Sequence, residues 1–284
     1  HEKNGWGSLS YKTLESEGIP VEKLDPSDGA RLYPSFNGDD LSFILFEPKG
    51  GVLRARKSVK VLSSAFSEMG GKLIKGRAEN IGGRISVDGN EIKSDIVVWA
   101  CGPWIPLLFD LDIDIQVTTQ EVIFFESPPE WNTSNIPAYT DIEEAFYGCG
   151  GCEDRPFKLA SDARGKHFNP DKEERKLSNQ QLQMCQNYLS KRFPSLSESI
   201  VNERRLCQYT STSDSNWIVA PLPGLNNQWI VGAGSGHGFK HGPALGKYVS
   251  DLIEDKIKPE PKFAINDRPY NSGGWLHLYN RKHL

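Results

Sequence analysis

The stretch that decides the fold is residues 228–253, which read QWIVGAGSGHGFKHGPALGKYVSDLI. It begins with an apolar run, 229–231, of the length that a buried strand needs. Glycine then occupies every second position from 232 to 238, and Pro243 stands where the first turn of a helix accepts proline. Apolar residues recur at helical spacing over 244–253. The pattern predicts a strand, a glycine-rich turn and a helix.

The glycine-rich turn is suited to an anionic ligand. Glycine lets a ligand approach the backbone closely, and the start of a helix offers unpaired N–H groups. His237, Lys240 and His241 lie in the same turn, which favours ligand binding over packing alone. The turn differs from the dinucleotide-binding fingerprint G-x-G-x-x-G, because His237 stands where the third glycine would be.

The composition excludes several classes of protein. The chain has 284 residues, which is enough for one large domain or two smaller ones with real cores, and its net charge is −4. It has no basic stripe, which argues against nucleic acid, and no apolar run of membrane-spanning length. Its five cysteines are unevenly spaced, so we expect reduced thiols inside a cell. Because the chain begins with His1 in polar sequence, we expect further residues in front of it.

The first half of the chain predicts alternating strands and helices. Residues 50–55 should lead into a helix that presents the apolar side chains of Val59, Leu62, Phe66 and Met69 and ends at Gly70, with a strand at 72–74. Asp88-Gly89-Asn90 predicts a hairpin turn. The apolar run 95–100 is a buried strand that leads into Gly102 and Trp104, either as a ligand-binding edge or as an ordinary strand end.

The middle of the chain predicts a second kind of sheet. Alternating β-branched residues over 113–126 indicate antiparallel pairing, and 178–193 has helical spacing. The fold class is therefore α/β, of mixed α+β type, with a large mixed or antiparallel sheet. Cys149 and Cys152 form a lone C-x-x-C, which argues against zinc, and a redox role would require a following helix.

Five motifs occur in one order: GGVLRARKSVKVL (50–62), DIVVWACGPW (95–104), FKL (157–159), CQYTSTSDSNWIV (207–219) and GSGHGFKHGPALG (234–246). Together they resemble the flavoprotein amine oxidases of the sarcosine oxidase family, within the D-amino acid oxidase-like superfamily, over nearly the whole chain. The resemblance implies FAD and two interleaved domains. The FAD-binding domain would take 46–112 and 215–250, without its first βαβ unit, and the substrate domain 1–45, 113–214 and 251–284.

The resemblance also implies roles for individual residues. Cys207 matches the cysteine that forms a thioether with the flavin, and neighbouring Arg204 and Arg205 would favour its thiolate; a buried structural cysteine is the alternative. Residues matching positions beside the cofactor are Gly102, Trp104, Gly236, His237, Gly238, Phe239 and Lys240.

Four residues match catalytic or substrate-binding positions. Lys158 matches the lysine that promotes reaction with O2, with a surface lysine as the alternative. Lys240 matches the lysine that binds the substrate carboxylate. Tyr209 matches an aromatic residue of the substrate pocket, or else belongs to the core. Asp162 stands where some sarcosine oxidases have histidine, and an acid there would prefer a substrate with an extra cationic or hydroxylated group.

The implied reaction is oxidation of a secondary amine of an amino-acid-like substrate, with FAD accepting the electrons and O2 reduced to H2O2. The family's N-terminal strand, G-x-G-x-x-G turn and helix have no counterpart here, so we expect a fragment that associates with the missing segment, or a degenerate member. The rivals are a non-catalytic module or subunit completed by a separate nucleotide-binding chain, and a flavin dehydrogenase with another acceptor. The location would be intracellular, cytoplasmic or peroxisomal; the final residues, 281–284, only weakly resemble a peroxisomal address.

Overall fold

The computed structural model of the protein describes residues 5–153 and 155–268. Its α-helices are α1 (Trp6–Ser16), α2 (Gly29–Leu32), α3 (Ala55–Glu68), α4 (Ile105–Leu108), α5 (Asn179–Arg192) and α6 (Gly242–Ile253). Its strands are β1 (Glu22–Leu24), β2 (Ile44–Phe46), β3 (Ala78–Ile81), β4 (Arg84–Val87), β5 (Asn90–Ile92), β6 (Val97–Trp99), β7 (Ile115–Phe125), β8 (Tyr139–Asp141), β9 (Phe146–Cys149), β10 (Phe157–Ser161), β11 (Val201–Thr212), β12 (Ile218–Leu222) and β13 (Leu225–Gly232). The predicted mixed α/β class is confirmed.

The chain forms two compact units made of interleaved segments. Unit 1 consists of His1–Val52, Gln120–Gly165 and Arg175–Cys207. Unit 2 consists of Leu53–Thr119, Lys166–Glu174 and Gln208–Leu284. The assignment of FAD binding and substrate binding to these units stays a prediction. The predicted domain boundaries also stay predictions.

Unit 1 is built on a five-stranded sheet in the order β11-β7-β10-β9-β8. Strand β10 pairs antiparallel with both β7 and β9, and Leu159 lies opposite Ile123. One face of this sheet packs against α5 in a core rich in aromatic side chains. Its fully or almost fully buried members include Ile123, Phe125, Trp131, Phe157, Leu159, Leu189 and Phe193.

Helix α5 has local signals at both ends and a core face between them. The Ser178 hydroxyl accepts a hydrogen bond from the Gln181 N–H at 3.4 Å, and Pro194 follows the last turn. The buried residues recur at helical spacing: Cys185, Tyr188, Leu189 and Arg192. This pattern is what an amphipathic helix on a sheet requires.

Unit 2 contains a three-stranded sheet in the order β12-β13-β6. Strand β13 is antiparallel to β12 and parallel to β6, with Trp229 opposite Val98. Ile218 and Ile230 are fully buried in its core, and helix α6 adds Val249 and Leu252 to a second cluster. The predicted strand, glycine turn and helix of residues 228–253 are therefore confirmed.

The strands β3, β4 and β5 form a separate antiparallel sheet in unit 2. Val87 pairs with Asn90, and the two residues between them, Asp88 and Gly89, have φ values of 49° and 79°. Positive φ at both positions is the geometry of the tight turn that Asp-Gly favours. The predicted hairpin is confirmed.

The region after α3 corrects one prediction. The helix ends as expected, with Gly70 at φ 91° and the Gly71 N–H donating to the Phe66 carbonyl at 2.9 Å. The strand predicted at 72–74 is wrong, because these residues are irregular in the structure. Leu73 and Ile74 are 63% and 55% exposed. A strand needs a hydrogen-bonded neighbour, and the described residues place none beside this segment.

Candidate functional site

The second face of the unit 1 sheet carries the cysteine singled out by the sequence. Val122, Phe124 and Ala160 form a buried cluster on this face, and the half-buried Cys207 packs against it. Successive side chains of a strand point to opposite faces, so this cluster lies opposite the core side chains that pack on α5. Cys207 therefore belongs to a sheet face distinct from the main core of unit 1.

Lys158 lies on the same face. Its Cα is opposite those of Phe124 on β7 and Cys149 on β9. Its ammonium nitrogen is 5.0 Å from the centroid of the Tyr147 ring, and Tyr147 also packs against the buried cluster. A cation over an aromatic face is attracted by the ring. The fold thus brings Lys158 and Cys207, 49 positions apart in the chain, to one surface.

Tyr147 is a site candidate that the sequence did not single out. It sits on β9 directly opposite Ala160 of β10. Its role in holding the Lys158 ammonium depends on the register between these two strands. No local pattern states that register, so no signal in the sequence could have found it.

The two arginines before Cys207 have different surroundings. The Arg204 guanidinium donates to the Glu121 carboxylate at 2.7 Å and to the Ser178 carbonyl at 2.6 Å. Arg205 alternates with Cys207 on β11 and donates to Glu203 at 2.5 Å. Alternation directs Arg204 to the other side of the strand, so only Arg205 of the two shares a sheet face with Cys207.

Asp162 and the C-x-x-C lie at opposite ends of β10. The Asp162 N–H donates to the Ala145 carbonyl at 2.7 Å, and its side chain is half-buried. At the other end, Cys149 lies opposite Lys158, and Cys152 pairs with Arg155 across a tight hairpin. The next described element after these two cysteines is strand β10, where a redox C-x-x-C would need a helix.

In unit 2 the ring of Tyr209 packs against Gly236 of the glycine turn. A Cβ added to Gly236 would lie 2.4 Å from the Tyr209 ring, and Gly236 has φ 83°. The Ser235 N–H donates to the Thr210 carbonyl at 3.0 Å, which ties the turn to β11. Both the contact and the positive φ require glycine at position 236.

The polar residues of this turn differ in burial. The His237 Nε2 lies 3.1 Å from the Ser215 carbonyl oxygen, and burial lowers the pKa of His237, with nearby Lys240 adding to the effect. The imidazole is therefore neutral at neutral pH and donates its Nε2–H to Ser215. Phe239 and Lys240 are exposed, and an exposed ammonium is available to a ligand.

Gly102 and Trp104 form a short 3₁₀ helix just after β6. Gly102 has φ 51°, and the Trp104 indole N–H donates to Asp171 at 2.9 Å. Arg77 also binds Asp171, at 2.7 Å, and these bonds from Arg77 and Trp104 lower the pKa of Asp171. Asp171 and Arg77 are thus structural partners of Trp104 that the sequence did not reveal.

One buried donor tests whether the glycine turn fits a flavin. The Trp217 indole N–H has no hydrogen-bond partner among the described residues. The indole nitrogen lies 3.3 Å from where a Gly238 Cβ would be. A buried donor without a partner costs free energy, so a bound acceptor is favoured there. The carbonyl and ring-nitrogen edge of FAD supplies such acceptors; a G-x-G-x-x-G cradle for its pyrophosphate does not occur in the sequence.

The family profile described as FAD dependent oxidoreductase matches residues 3–252. The chain belongs to this family. Monomeric sarcosine oxidase from Streptomyces avermitilis is 26% identical over 259 residues, which cover 86% of this chain and 67% of that protein. Peroxisomal sarcosine oxidase from Mus musculus is 27% identical over 277 residues, covering 89% and 68%. N-methyl-L-tryptophan oxidase from Yersinia pestis is 25% identical over 264 residues, covering 87% and 69%.

Solved structures share the fold of this chain. Fructosyl peptide oxidase from E. terrenum has a TM-score of 0.77 at 21% identity, covering 90% of this chain and 68% of that one. L-proline dehydrogenase from P. horikoshii has a TM-score of 0.76 at 20% identity, covering 89% and 70%.

The family assignment confirms two predictions. The chain is an FAD-dependent oxidoreductase, as the resemblance implied, and FAD is its cofactor. Among the described residues, no helix is long and apolar enough to cross a membrane. The roles of the individual site residues stay predictions.

Proposed function

We propose that the protein oxidises a secondary amine of an amino-acid-like substrate and passes the electrons through FAD to O2, forming H2O2. The substrate would be an N-alkyl amino acid of the kind represented by sarcosine, pipecolate, saccharopine or a fructosyl amino acid. The observation that carries the proposal is the shared sheet face of Cys207 and Lys158, which puts a thiol and a cation on one surface. The names of the relatives support the substrate class.

FAD supplies the two-electron chemistry when it is bound. In the proposed reaction Cys207 would hold the cofactor covalently. Gly236 and Gly238 carry no side chain, so a planar ring could approach the backbone of the turn closely. Lys158 holds a positive charge where negative charge develops as oxygen is reduced. The Tyr147 ring keeps that ammonium in place.

The substrate would be held by residues of the glycine turn. Lys240 carries an exposed ammonium suited to the substrate carboxylate, and Tyr209 forms an aromatic wall beside Gly236. Asp162 would select a substrate with an extra cationic or hydroxylated group. If Asp162→Asn leaves the ranking of such substrates unchanged, that role is wrong.

The covalent anchor is tested by the intact mass and visible absorption of acid-denatured protein. We expect a flavin mass increment on the wild-type chain and its loss in Cys207→Ser. Cys149→Ser is the matched control, because Cys149 is also half-buried and lies on another strand of the same sheet. A flavin that separates from the denatured wild-type chain would contradict the thioether.

Oxygen use is tested by Lys158→Met. We expect substrate to reduce the bound flavin at a similar rate but O2 to reoxidise it at least about tenfold more slowly, because the fixed cation is lost. Lys172→Met is the control, since Lys172 is exposed. If O2 does not reoxidise the reduced flavin of the wild-type protein, the protein would instead be a dehydrogenase with another electron acceptor.

A second candidate is a module completed by a nucleotide-binding segment. It is favoured by helix α3, which has no buried residue, and by β6, where Val98 is 41% exposed at the edge of the sheet. An edge strand that is parallel to its neighbour and a helix with an exposed apolar face both fit an added strand and helix. We expect FAD binding to appear only on co-expression with a separate segment that forms a strand, a G-x-G-x-x-G turn and a helix. Tight FAD binding by this chain alone would exclude the module.

For the cellular compartment, we propose the peroxisome. A peroxide-producing oxidase suits the peroxisome, the location that the name of the mouse relative gives for that protein. Residues 281–284 lie outside the described residues. Imaging a fusion with the fluorescent protein at the N-terminus separates peroxisomal from cytoplasmic location, and removal of the last three residues tests the address.

A further inference from the structure

A cluster of three charged side chains lies on the same sheet face as Lys158 and Cys207. Glu203 accepts hydrogen bonds from Arg155 at 2.6 Å and from Arg205 at 2.5 Å. Both guanidinium carbons also lie over the Phe124 ring, 5.0 and 5.7 Å from its centroid. One aromatic ring and one carboxylate therefore hold two arginines side by side.

The charges of this cluster do not cancel. Glu203 supplies one negative charge for two guanidinium groups, and the hydrogen bond from Arg205, together with that from Arg155, keeps the pKa of Glu203 below its usual range. Lys158 lies opposite Phe124 and makes no ion pair among the described residues. This part of the sheet face is therefore positively charged and favours an anion.

The arginines also retain the means to bind an anion. Each donates one N–H to Glu203, and its other N–H groups have no partner within the part of the chain that the structure describes. The side chains of Arg155 and Arg205 are 25% and 35% exposed, so the donors are accessible. Their stacking on Phe124 fixes the planar groups, which lowers the cost of binding a carboxylate with two hydrogen bonds.

The cluster lies within a short distance of the proposed reaction site. Arg205 and Cys207 are alternate residues of β11, so they point to the same face about 7 Å apart. Lys158 and Phe124 are directly opposite each other on neighbouring strands, with Cβ atoms about 5 Å apart. A substrate of amino-acid size can span such distances.

We propose that Arg155 and Arg205 form a carboxylate-binding subsite that selects amine substrates with a second acidic group. This subsite rests on the proposed function and narrows its substrate class to N-alkyl derivatives of acidic amino acids. The two arginines would bind the second acidic group of the substrate, whereas the contact proposed for Lys240 would hold the carboxylate on the carbon that bears the amine.

The test compares two substrates of equal size, N-methyl-L-glutamate and N-methyl-L-glutamine. We expect wild-type kcat/KM to favour the acid at least about tenfold, because a carboxylate accepts charge-assisted hydrogen bonds from both arginines, whereas the amide offers one neutral oxygen. In Arg155→Gln and Arg205→Gln this ratio should fall below about threefold, mainly through KM for the acid. Arg31→Gln is the control, since its exposed guanidinium only binds Asp28.

Glu203→Gln separates recognition from folding. Removal of the competing carboxylate should lower KM for N-methyl-L-glutamate, because both arginines then serve the substrate alone. A network that only supports the fold would lose stability in all three variants without any change in the acid-to-amide ratio, and that result would overturn the subsite.

The outcomes distinguish the subsite from the proposed function. Equal oxidation of both substrates by the wild type leaves the amine oxidase intact and refutes the subsite. If neither substrate nor sarcosine is oxidised, the proposed function fails, and calorimetry with N-methyl-L-glutamate then decides the subsite alone. Binding that is at least about tenfold weaker in Arg155→Gln supports it, and equal binding refutes it.

Discussion

Helices α3 and α5 are both 14 residues long, yet they have opposite surroundings. Helix α5 buries four side chains against the unit 1 sheet, whereas α3 buries none. Leu189 of α5 is 1% exposed, and Leu62 of α3 is 67% exposed. Both helices follow the sequence prediction closely.

The difference between the two helices shows how much an amphipathic sequence pattern can predict. Helical spacing of apolar residues states that one face of the helix needs a partner, but not whether the described chain supplies it. Helix α5 finds its partner in β7 and β10, while the apolar side chains of α3 remain exposed, at 49% for Phe66 and 88% for Met69. The apolar face of α3 is therefore uncovered within the part of the chain that the structure describes.

The largest expected effect concerns the charged end of α5. The Arg192 side chain is 3% exposed and binds Asp141 at 2.9 Å and Asp40 at 2.8 Å. Arg192→Gln leaves the buried Asp141 carboxylate without its cation, so we expect a loss of about 3–5 kcal/mol in the free energy of unfolding by urea. Arg56→Gln, on the exposed surface of α3, should change it by less than about 0.5 kcal/mol.

The next effect compares the two leucines directly. Leu189→Ala should destabilise the protein by about 2–5 kcal/mol, because it opens a cavity in the aromatic core. Leu62→Ala should cost less than about 0.5 kcal/mol in the same urea titration. Equal costs for the two substitutions would show that the face of α3 is covered in the protein, and would break the comparison.

A smaller effect concerns the end of α3. Gly70 has φ 91°, a conformation that strains any residue with a side chain. Gly70→Ala should cost about 1 kcal/mol locally, seen as faster hydrogen exchange of the amides at the end of α3. Unchanged exchange there, with Ser67→Ala as the control, would mean that the turn can relax without strain.

The smallest effect is a dependence on pH. Burial of Asp40 favours its neutral form, but hydrogen bonds from Arg192 and Lys191 outweigh this and lower its pKa to about 2. Because the folded pKa lies below the unfolded value of 3.8, the contribution of Asp40 is present above about pH 4 and is lost as the pH falls towards 2. Asp40→Asn should flatten the fall in Tm over this window, whereas Asp39→Asn should not.

Sequence alone determined the features that depend on neighbouring residues. The periodicity of 55–69 predicted α3, Asp88-Gly89 predicted the hairpin turn, and residues 228–253 predicted a strand, turn and helix. The order of the motifs also identified the family and its cofactor, both now confirmed. These succeed because turn chemistry and side-chain periodicity act over a few residues.

Only the tertiary structure decided which distant residues meet. The sheet order β11-β7-β10-β9 brought Lys158, Tyr147 and Cys207 to one face. The same order placed Arg155 beside Glu203, 48 positions away in the chain. It also explains why 72–74 is not a strand, since strand formation depends on a neighbour and not on composition alone. Register and partners arise from contacts between remote segments, so no local pattern contains them.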